Sequence, residues 1–143
     1  MFLGEFQHNL DEKGRLAIPA RYREELGERF IITRGFDRCL IGFPMERWEQ
    51  VAAKADALSL AQSDSRQLRR ALFANAEPVE FDRQGRVLIS QNLRDYAGLD
   101  GQVAIVGNNT FFEIWSRERW QDELAKLDAK SSELAEGLAS LGL

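Results

Sequence analysis

Two short stretches carry residue types from which chemistry could be built. They are Asp11-Glu12-Lys13-Gly14-Arg15 and, 71 positions later, Asp82-Arg83-Gln84-Gly85-Arg86. Asp at the start and Gly in fourth place suit a type I turn closed by a left-handed glycine, the loop of a tight hairpin. Asp11, Gly14, Asp82 and Gly85 therefore read as turn-shaping. Turn chemistry does not ask for arginine, yet both copies end in one. Two readings stand. Arg15 and Arg86 could pair with Asp11 and Asp82 and pin strand register. Alternatively, with Lys13 and Arg83 beside them, they form two cationic tips, since a planar guanidinium suits phosphate or the O6/N7 edge of guanine.

Enzymatic readings find little support. His8 is the only histidine, which leaves no histidine triad and no His-based metal site. Cys39, the only cysteine, falls in an apolar run, where a small buried side chain is expected rather than a nucleophile. No glycine pattern matches G-x-G-x-x-G or G-x-x-x-x-G-K-[ST]. An Asp11–Asp82 carboxylate pair fits the turns better than acid–base work. The sequence thus points to a non-enzyme with no metal and no cofactor.

The net charge of −4 argues mildly against a bulk nucleic-acid binder. The charge is segregated along the chain, however. Lys13, Arg15, Arg21 and Arg23 gather at the first turn, and Arg66, Arg69 and Arg70 in mid-chain, while residues 117–143 hold six acidic against four basic side chains. A lone cysteine excludes an intramolecular disulfide and fits a reducing interior. No apolar run approaches the ~20 residues that span a bilayer, and Met1-Phe2-Leu3-Gly4-Glu5 does not read as a signal peptide. The expected location is cytoplasmic, without a membrane partner.

The elements that must position the two turns are themselves repeated. At the same offset Ile18 matches Ile89, Arg23 matches Arg94 and Gly27 matches Gly98. One extra residue near Leu99 moves the offset to 72, where Gly35 matches Gly107 and Glu46-Arg47-Trp48 matches Glu118-Arg119-Trp120. One unit is used twice. Each half, at about 70 residues, is marginal alone, so the halves are expected to share a core. In each half a strand (Phe2 to Leu10; Val79 to Phe81) enters the turn and a second (Arg15 to Ile18; Val87 to Ile89) leaves it, with Leu16 and Ile18 on one face. Pro19 or Ser90 then opens a short helix that ends at Gly27 or Gly98. Two paired strands follow (Phe30–Thr33 with Cys39–Phe43; Val103–Val106 with Phe111–Trp115). In the first half Pro44 opens a further helix, with Trp48, Val51, Ala55 and Leu58 on one stripe. Between the halves, 61–74 holds a polar stretch and then a short helix over Gln67–Phe73.

The last segment spaces Trp120, Leu124, Leu127, Ser131, Leu134, Leu138 and Leu141 alternately by four and three, a heptad over one long helix. It either lies against its own body or packs on a neighbouring subunit. Gly137 weakens its end.

The doubled D-x-x-G-R, the Ile18-Pro19-Ala20-Arg21-Tyr22-Arg23 after the first copy, the opening Met1-Phe2-Leu3-Gly4-Glu5, and Gly85-Arg86-Val87-Leu88-Ile89 with Tyr96-Ala97-Gly98-Leu99 in the second half together resemble the MraZ family of SpoVT/AbrB-like bacterial transcription regulators. The likeness covers nearly the whole chain. It implies an α+β fold, an AbrB-like swapped-hairpin β-barrel built from two tandem pseudo-symmetric repeats with flanking helices. The implied division is 1–62 for the first repeat and its helix, 63–75 for a basic helical connector, and 76–143 for the second repeat and C-terminal helix. It further implies a regulator acting mainly as a repressor on double-stranded DNA, at tandem short promoter repeats upstream of the division and cell-wall gene cluster. A ring-like homo-oligomer associated with the nucleoid would do the binding. In the family the D-x-x-x-R positions are marked, and they fall here on Asp11 and Arg15, then Asp82 and Arg86. Gln84 replaces Lys13 in register, so the second tip carries its extra charge one position earlier, at Arg83.

On this reading Arg15 is the principal DNA contact, Lys13, Arg21 and Arg23 are phosphate ligands, and Arg86 with Arg83 is the second-half counterpart. The aspartates orient the arginines, since a carboxylate near phosphate is repelled. An acidic chain with few cationic tips binds weakly alone, but several copies on tandem sites raise the effective concentration of each further contact. Two other readings are a protein-interaction scaffold of the same fold, antitoxin-like, and a purely structural oligomer. The first would be marked by a long disordered tail, whereas the C-terminus reads as helix.

Overall fold

The two halves interlock instead of lying side by side. A computed structural model describes residues 1–143 and gives six helices and eight strands. In the first half these are β1 (Glu5–Asn9), β2 (Arg15–Ala17), α1 (Ala20–Leu26), β3 (Arg29–Arg34), β4 (Leu40–Pro44) and α2 (Met45–Asp56). Helix α3 (Ser63–Phe73) leads into the second half: β5 (Glu77–Glu80), β6 (Arg86–Leu88), α4 (Gln91–Ala97), β7 (Gln102–Gly107), β8 (Phe112–Ser116), α5 (Arg117–Ala129) and α6 (Ser131–Ser140). The fold is α+β with antiparallel pairing throughout.

Strand exchange does the interlocking. β1 of the first half pairs with β7 of the second, Phe6 opposite Ile105. β5 of the second half pairs with β3 of the first, Val79 opposite Phe30. The β4–β8 pair joins the two units in the middle, giving the sheet order β1-β7-β8-β4-β3-β5. A separate ribbon, β2 with β6, sets Leu16 opposite Val87. The expected barrel is not closed. The six-stranded sheet ends on the edges β1 and β5, and the chain leaves each edge through a tight turn before the ribbon begins. The ribbon carries only three residue pairs, too short to continue the ladder of the main sheet.

The core lies between sheet and ribbon. Leu16 and Val87 on the inner face of the ribbon join Ile18, Ile89, Phe30, Ile105 and Ile114 in one buried cluster. Burial of each such side chain contributes roughly 1.5–3 kcal/mol, and both halves supply residues to the one cluster. Phe2, Tyr22, Phe30 and Phe112 meet ring to ring, with neighbouring centroids 5.0–5.7 Å apart. The Tyr22 hydroxyl donates to the Leu3 carbonyl at 2.8 Å, so its polar end is satisfied.

The short helices form as their sequences direct. Ser90 caps α4 by accepting from the Leu93 amide, Pro19 precedes α1, and Gly98 ends α4 in the left-handed conformation. Two expectations change. The connector helix is longer than Gln67–Phe73, beginning at Ser63. The C-terminal segment is not one helix but two, broken at Lys130, whose φ of −105° and ψ of 17° leave helical geometry. Trp120 of α5 is buried beside Trp115 and Cys39, with Leu124 against them. Beyond Leu124 the leucines of the stripe are exposed, and no residue of α6 is buried. Without tertiary contacts, a stretch interrupted by Ser131-Ser132 has too little intrinsic helix preference to bridge the break.

Candidate nucleic-acid interface

Each turn is built round its aspartate. Asp11 Oδ1 accepts from the amides of Lys13 and Arg15, both at 2.9 Å, and Asp11 Oδ2 accepts from Arg15 Nε at 2.7 Å. In the second copy, Asp82 Oδ1 accepts from the amides of Gln84 and Arg86 at 2.8 and 2.9 Å, and Oδ2 from Arg86 Nε at 3.0 Å. The amides of Gly14 and Gly85 close the turns onto the Asp11 and Asp82 carbonyls. Both glycines have positive φ, 84° and 74°, where a β-carbon is strained. The donors lower both carboxyl pKa values below the ordinary carboxylate value: the Arg15 amide above all for Asp11, the Arg86 amide for Asp82.

The fold then places the two turns together. Arg15 pairs with Leu88 and Ala17 with Arg86 across the β2–β6 ribbon. The Ile18 amide donates to the Gly85 carbonyl and the Ile89 amide to the Gly14 carbonyl, so each turn is stitched to the strand leaving the other. Arg86 Nη1 reaches Asp11 Oδ2 at 3.4 Å. With Leu16 and Val87 buried, the alternate residues Arg15, Ala17, Arg86 and Leu88 face outward, Leu88 being 59 % exposed.

The pairing of each arginine with the aspartate of its own turn is seen directly. The Nε of each is committed to its own aspartate, which fixes the planar group. The Nη atoms of Arg15 have no partner, and those of Arg86 have only the long contact to Asp11. A guanidinium held by Nε keeps its Nη atoms available for bidentate donation to a phosphate or guanine.

The remaining basic residues divide. Lys13 and Arg83 are exposed on the turns and form no ion pair. Arg23, from α1, lies over Gly85 of the opposite repeat, so close that a β-carbon there would collide with its guanidinium. Together with Arg83, Asp82 and Glu24 it lines a shallow concavity of about 410 Å³. Arg21 goes elsewhere: its guanidinium stands over the Phe6 ring, 5.6 Å from the centroid.

One residue escaped the sequence-based assignment. Arg94 of α4 crosses to the first turn, where a β-carbon on Gly14 would lie 2.7 Å from its guanidinium carbon. Its Nε donates to the Ile89 carbonyl at 2.9 Å. It is the counterpart of Arg23, and the identity at offset 71 was the available signal. Each turn is thus backed by an arginine from the other repeat. Cys39, by contrast, is fully buried, donates to the Phe36 carbonyl at 3.1 Å, and has its thiol pKa pushed far up by burial. No three His, Cys, Asp or Glu side chains gather as a metal site, and no helix is long and apolar enough to cross a membrane.

Comparison with known proteins agrees with this doubled architecture. The family model described as "MraZ protein, putative antitoxin-like" matches twice, at residues 1–71 and 72–140. A protein of Roseiflexus castenholzii named transcriptional regulator MraZ is 53 % identical over 141 residues, covering 99 % of both chains. Proteins of the same name from Desulforamulus reducens (47 % identical, 99 % of both chains) and Herpetosiphon aurantiacus (46 %, full length of both) are similar throughout. The name these relatives carry denotes a non-enzymatic role.

Proposed function

The chain belongs to the MraZ family, and from that premise we propose that it is a DNA-binding transcriptional regulator whose paired turns contact the double helix. Its relatives are named transcriptional regulators. The observation that carries the reading is the union of two sequence-distant D-x-x-G-R turns on the outward side of one ribbon, with the Nη atoms of Arg15 left without a partner in the chain. Arg15 is the principal contact in this proposal. Lys13, Arg83 and Arg23 serve as phosphate ligands, Arg86 as the second-half counterpart, and Arg21 as a flanking cation. Asp11 and Asp82 orient the guanidinium groups without meeting DNA.

The exchange of β1 and β5 between halves supports a swapped-hairpin relationship of AbrB type, two units related by pseudo-symmetry within one chain, divided at 62 and 75 by the connector. Two paired turns amount to a small cationic footprint on a chain of net charge −4. Binding by one copy would be weak and salt-sensitive, so the reading includes a ring-like homo-oligomer that engages tandem short repeats, multiplying affinity through effective concentration. Repression of the division and cell-wall gene cluster, at the nucleoid, is the biological role that the family likeness supports.

The test is fluorescence anisotropy of a duplex carrying tandem promoter repeats, titrated with wild type and Arg15→Ala across a salt series. Tight binding that weakens steeply with salt and largely vanishes in the variant is expected. Equal affinity of both proteins for specific and scrambled duplex would overturn the reading in favour of a protein-interaction scaffold.

A further inference from the structure

We infer that α6 of a second copy of this chain docks in the apolar groove between α2, α3 and the β3–β4 hairpin, an interface that rests on the oligomeric reading above and assigns its contact.

Two unpartnered surfaces on the same chain complement each other. The first is the groove, about 490 Å³ in volume. Phe36, Ile41, Leu58 and Leu68 line it, with Phe36 70 % exposed at its rim. Its charged lining residues are Arg34 and Lys54, both cationic, and no acidic side chain lines it. The Arg34 guanidinium stands over the Tyr96 ring, 4.4 Å from its centroid, Arg38 approaches the same ring at 5.0 Å, and neither forms an ion pair. The Arg34 Nη2 makes only a long contact to Asn92 Oδ1, at 3.5 Å, which leaves its charge uncompensated at the groove.

The second surface is α6. Leu134, Leu138 and Leu141 follow one another at i, i+4 and i+7 on a single face, and they are 47 %, 52 % and 75 % exposed. Residues 131–143 hold Glu133 and Glu136 and no cation. The helix is therefore apolar on one side and anionic in sum, and the groove is apolar and cationic.

Pseudo-symmetry explains why the face is open. In the first repeat, α3 follows α2 and folds back on the body: the Thr33 hydroxyl donates to the Leu72 carbonyl, and Arg69 Nη1 to the Ala55 carbonyl. α6 follows α5 at the corresponding place in the second repeat, yet nothing receives it. Contiguous apolar surface of this kind marks an interaction site. Laid between α2 and α3 of the next copy, α6 would complete a three-helix layer. The contact is head-to-tail, helix of one copy into groove of the next, the arrangement from which rings or filaments are generated.

Sedimentation equilibrium of the full chain tests it, with two variants whose changed side chains are exposed, so that the fold persists. Leu138→Asp removes the helix side, and Phe36→Asp the groove side. Each alone should weaken assembly at least tenfold, toward single subunits. An equimolar mixture of the two should give heterodimers and nothing larger, because only one intact helix and one intact groove remain. Lys54→Glu should likewise weaken assembly, and Glu133→Lys in the same chain should restore part of it. If wild type assembles but Leu138→Asp leaves its mass unchanged, the proposal falls while the oligomeric reading stands, and the groove serves another occupant such as a small apolar anion or a different protein. If Leu138→Asp dissociates the assembly and Phe36→Asp does not, α6 docks elsewhere and the groove assignment is overturned. A monomeric wild type at every concentration overturns the oligomeric reading and this interface with it.

Discussion

Arg86 of the second turn donates through Nη1 to Asp11 Oδ2 of the first at 3.4 Å, while the same oxygen accepts from Arg15 Nε at 2.7 Å. One carboxylate thus gathers two arginines that lie 71 positions apart in the chain. No reciprocal contact joins Arg15 to Asp82, so the pseudo-symmetric pair is electrostatically unequal.

That inequality orders the aspartate variants. Asp11→Ala frees Arg15 and removes one of the two carboxylate contacts of Arg86, whereas Asp82→Ala removes a contact of Arg86 alone. The specific DNA affinity of Asp11→Ala should fall further than that of Asp82→Ala, in anisotropy titrations at one fixed salt concentration. Equal losses would show that the cross-turn contact has no part in orienting Arg86.

Arg15→Ala removes the guanidinium placed best for bidentate donation. A loss of about 1–3 kcal/mol in specific binding per engaged base pair is expected, read as roughly a five- to 150-fold rise in Kd. Lys13→Ala should instead weaken specific and scrambled duplexes alike. It should also reduce the slope of log K against log salt by about 0.9 for each phosphate that is no longer neutralised.

Glycine substitutions separate turn from tail. Gly85→Ala imposes a β-carbon at φ 74° and drives it into the Arg23 guanidinium. A cost of at least about 1–2 kcal/mol is expected from the backbone strain alone, seen as a lower Tm. Gly137→Ala meets open space within α6 and should gain helix by about 0.5–1 kcal/mol in propensity, seen as higher ellipticity with no drop in Tm.

Acid should act through the turns. Both aspartates have folded-state pKa values below the reference of 3.8, so they bind fewer protons folded than unfolded over that range. Their stabilising contribution is complete above the unfolded value and is lost as pH falls below it toward the folded one. Glu113, raised above its reference chiefly by burial, acts in the opposite sense. Urea unfolding of Asp11→Asn/Asp82→Asn should therefore show a flatter decline in stability below about pH 4 than wild type. An unchanged acid slope would refute this assignment.

Cys39 should resist thiol reagents in the native state. It is fully buried, and burial holds the thiol protonated. Stoichiometric labelling is expected only after denaturation, by mass spectrometry.

Much of this protein could be read from residue order alone, because the signals are local. Asp and Gly at turn positions 11, 14, 82 and 85 carry their own conformational preferences. Alternation put Leu16 on the inner face, and Ser90 and Gly98 announced the ends of α4. The doubling was visible as identities at a fixed offset. The local pairs β3–β4 and β7–β8 were legible, but residue order could not supply which strands pair between the halves. The crossing of β1 to β7, of β5 to β3, and of β2 to β6 is decided by burial of a shared core that neither half can complete alone. Those crossings bring Arg86 to Asp11, send Arg23 and Arg94 to the opposite turns, and take Arg21 to Phe6 instead. They also leave the barrel open. The broken C-terminal helix has the same origin: a heptad pattern records which faces are apolar, but only tertiary contact decides whether anything lies against them. Trp120 found a partner within its own chain. Leu134, Leu138 and Leu141 did not, and the helix bends away where its support ends.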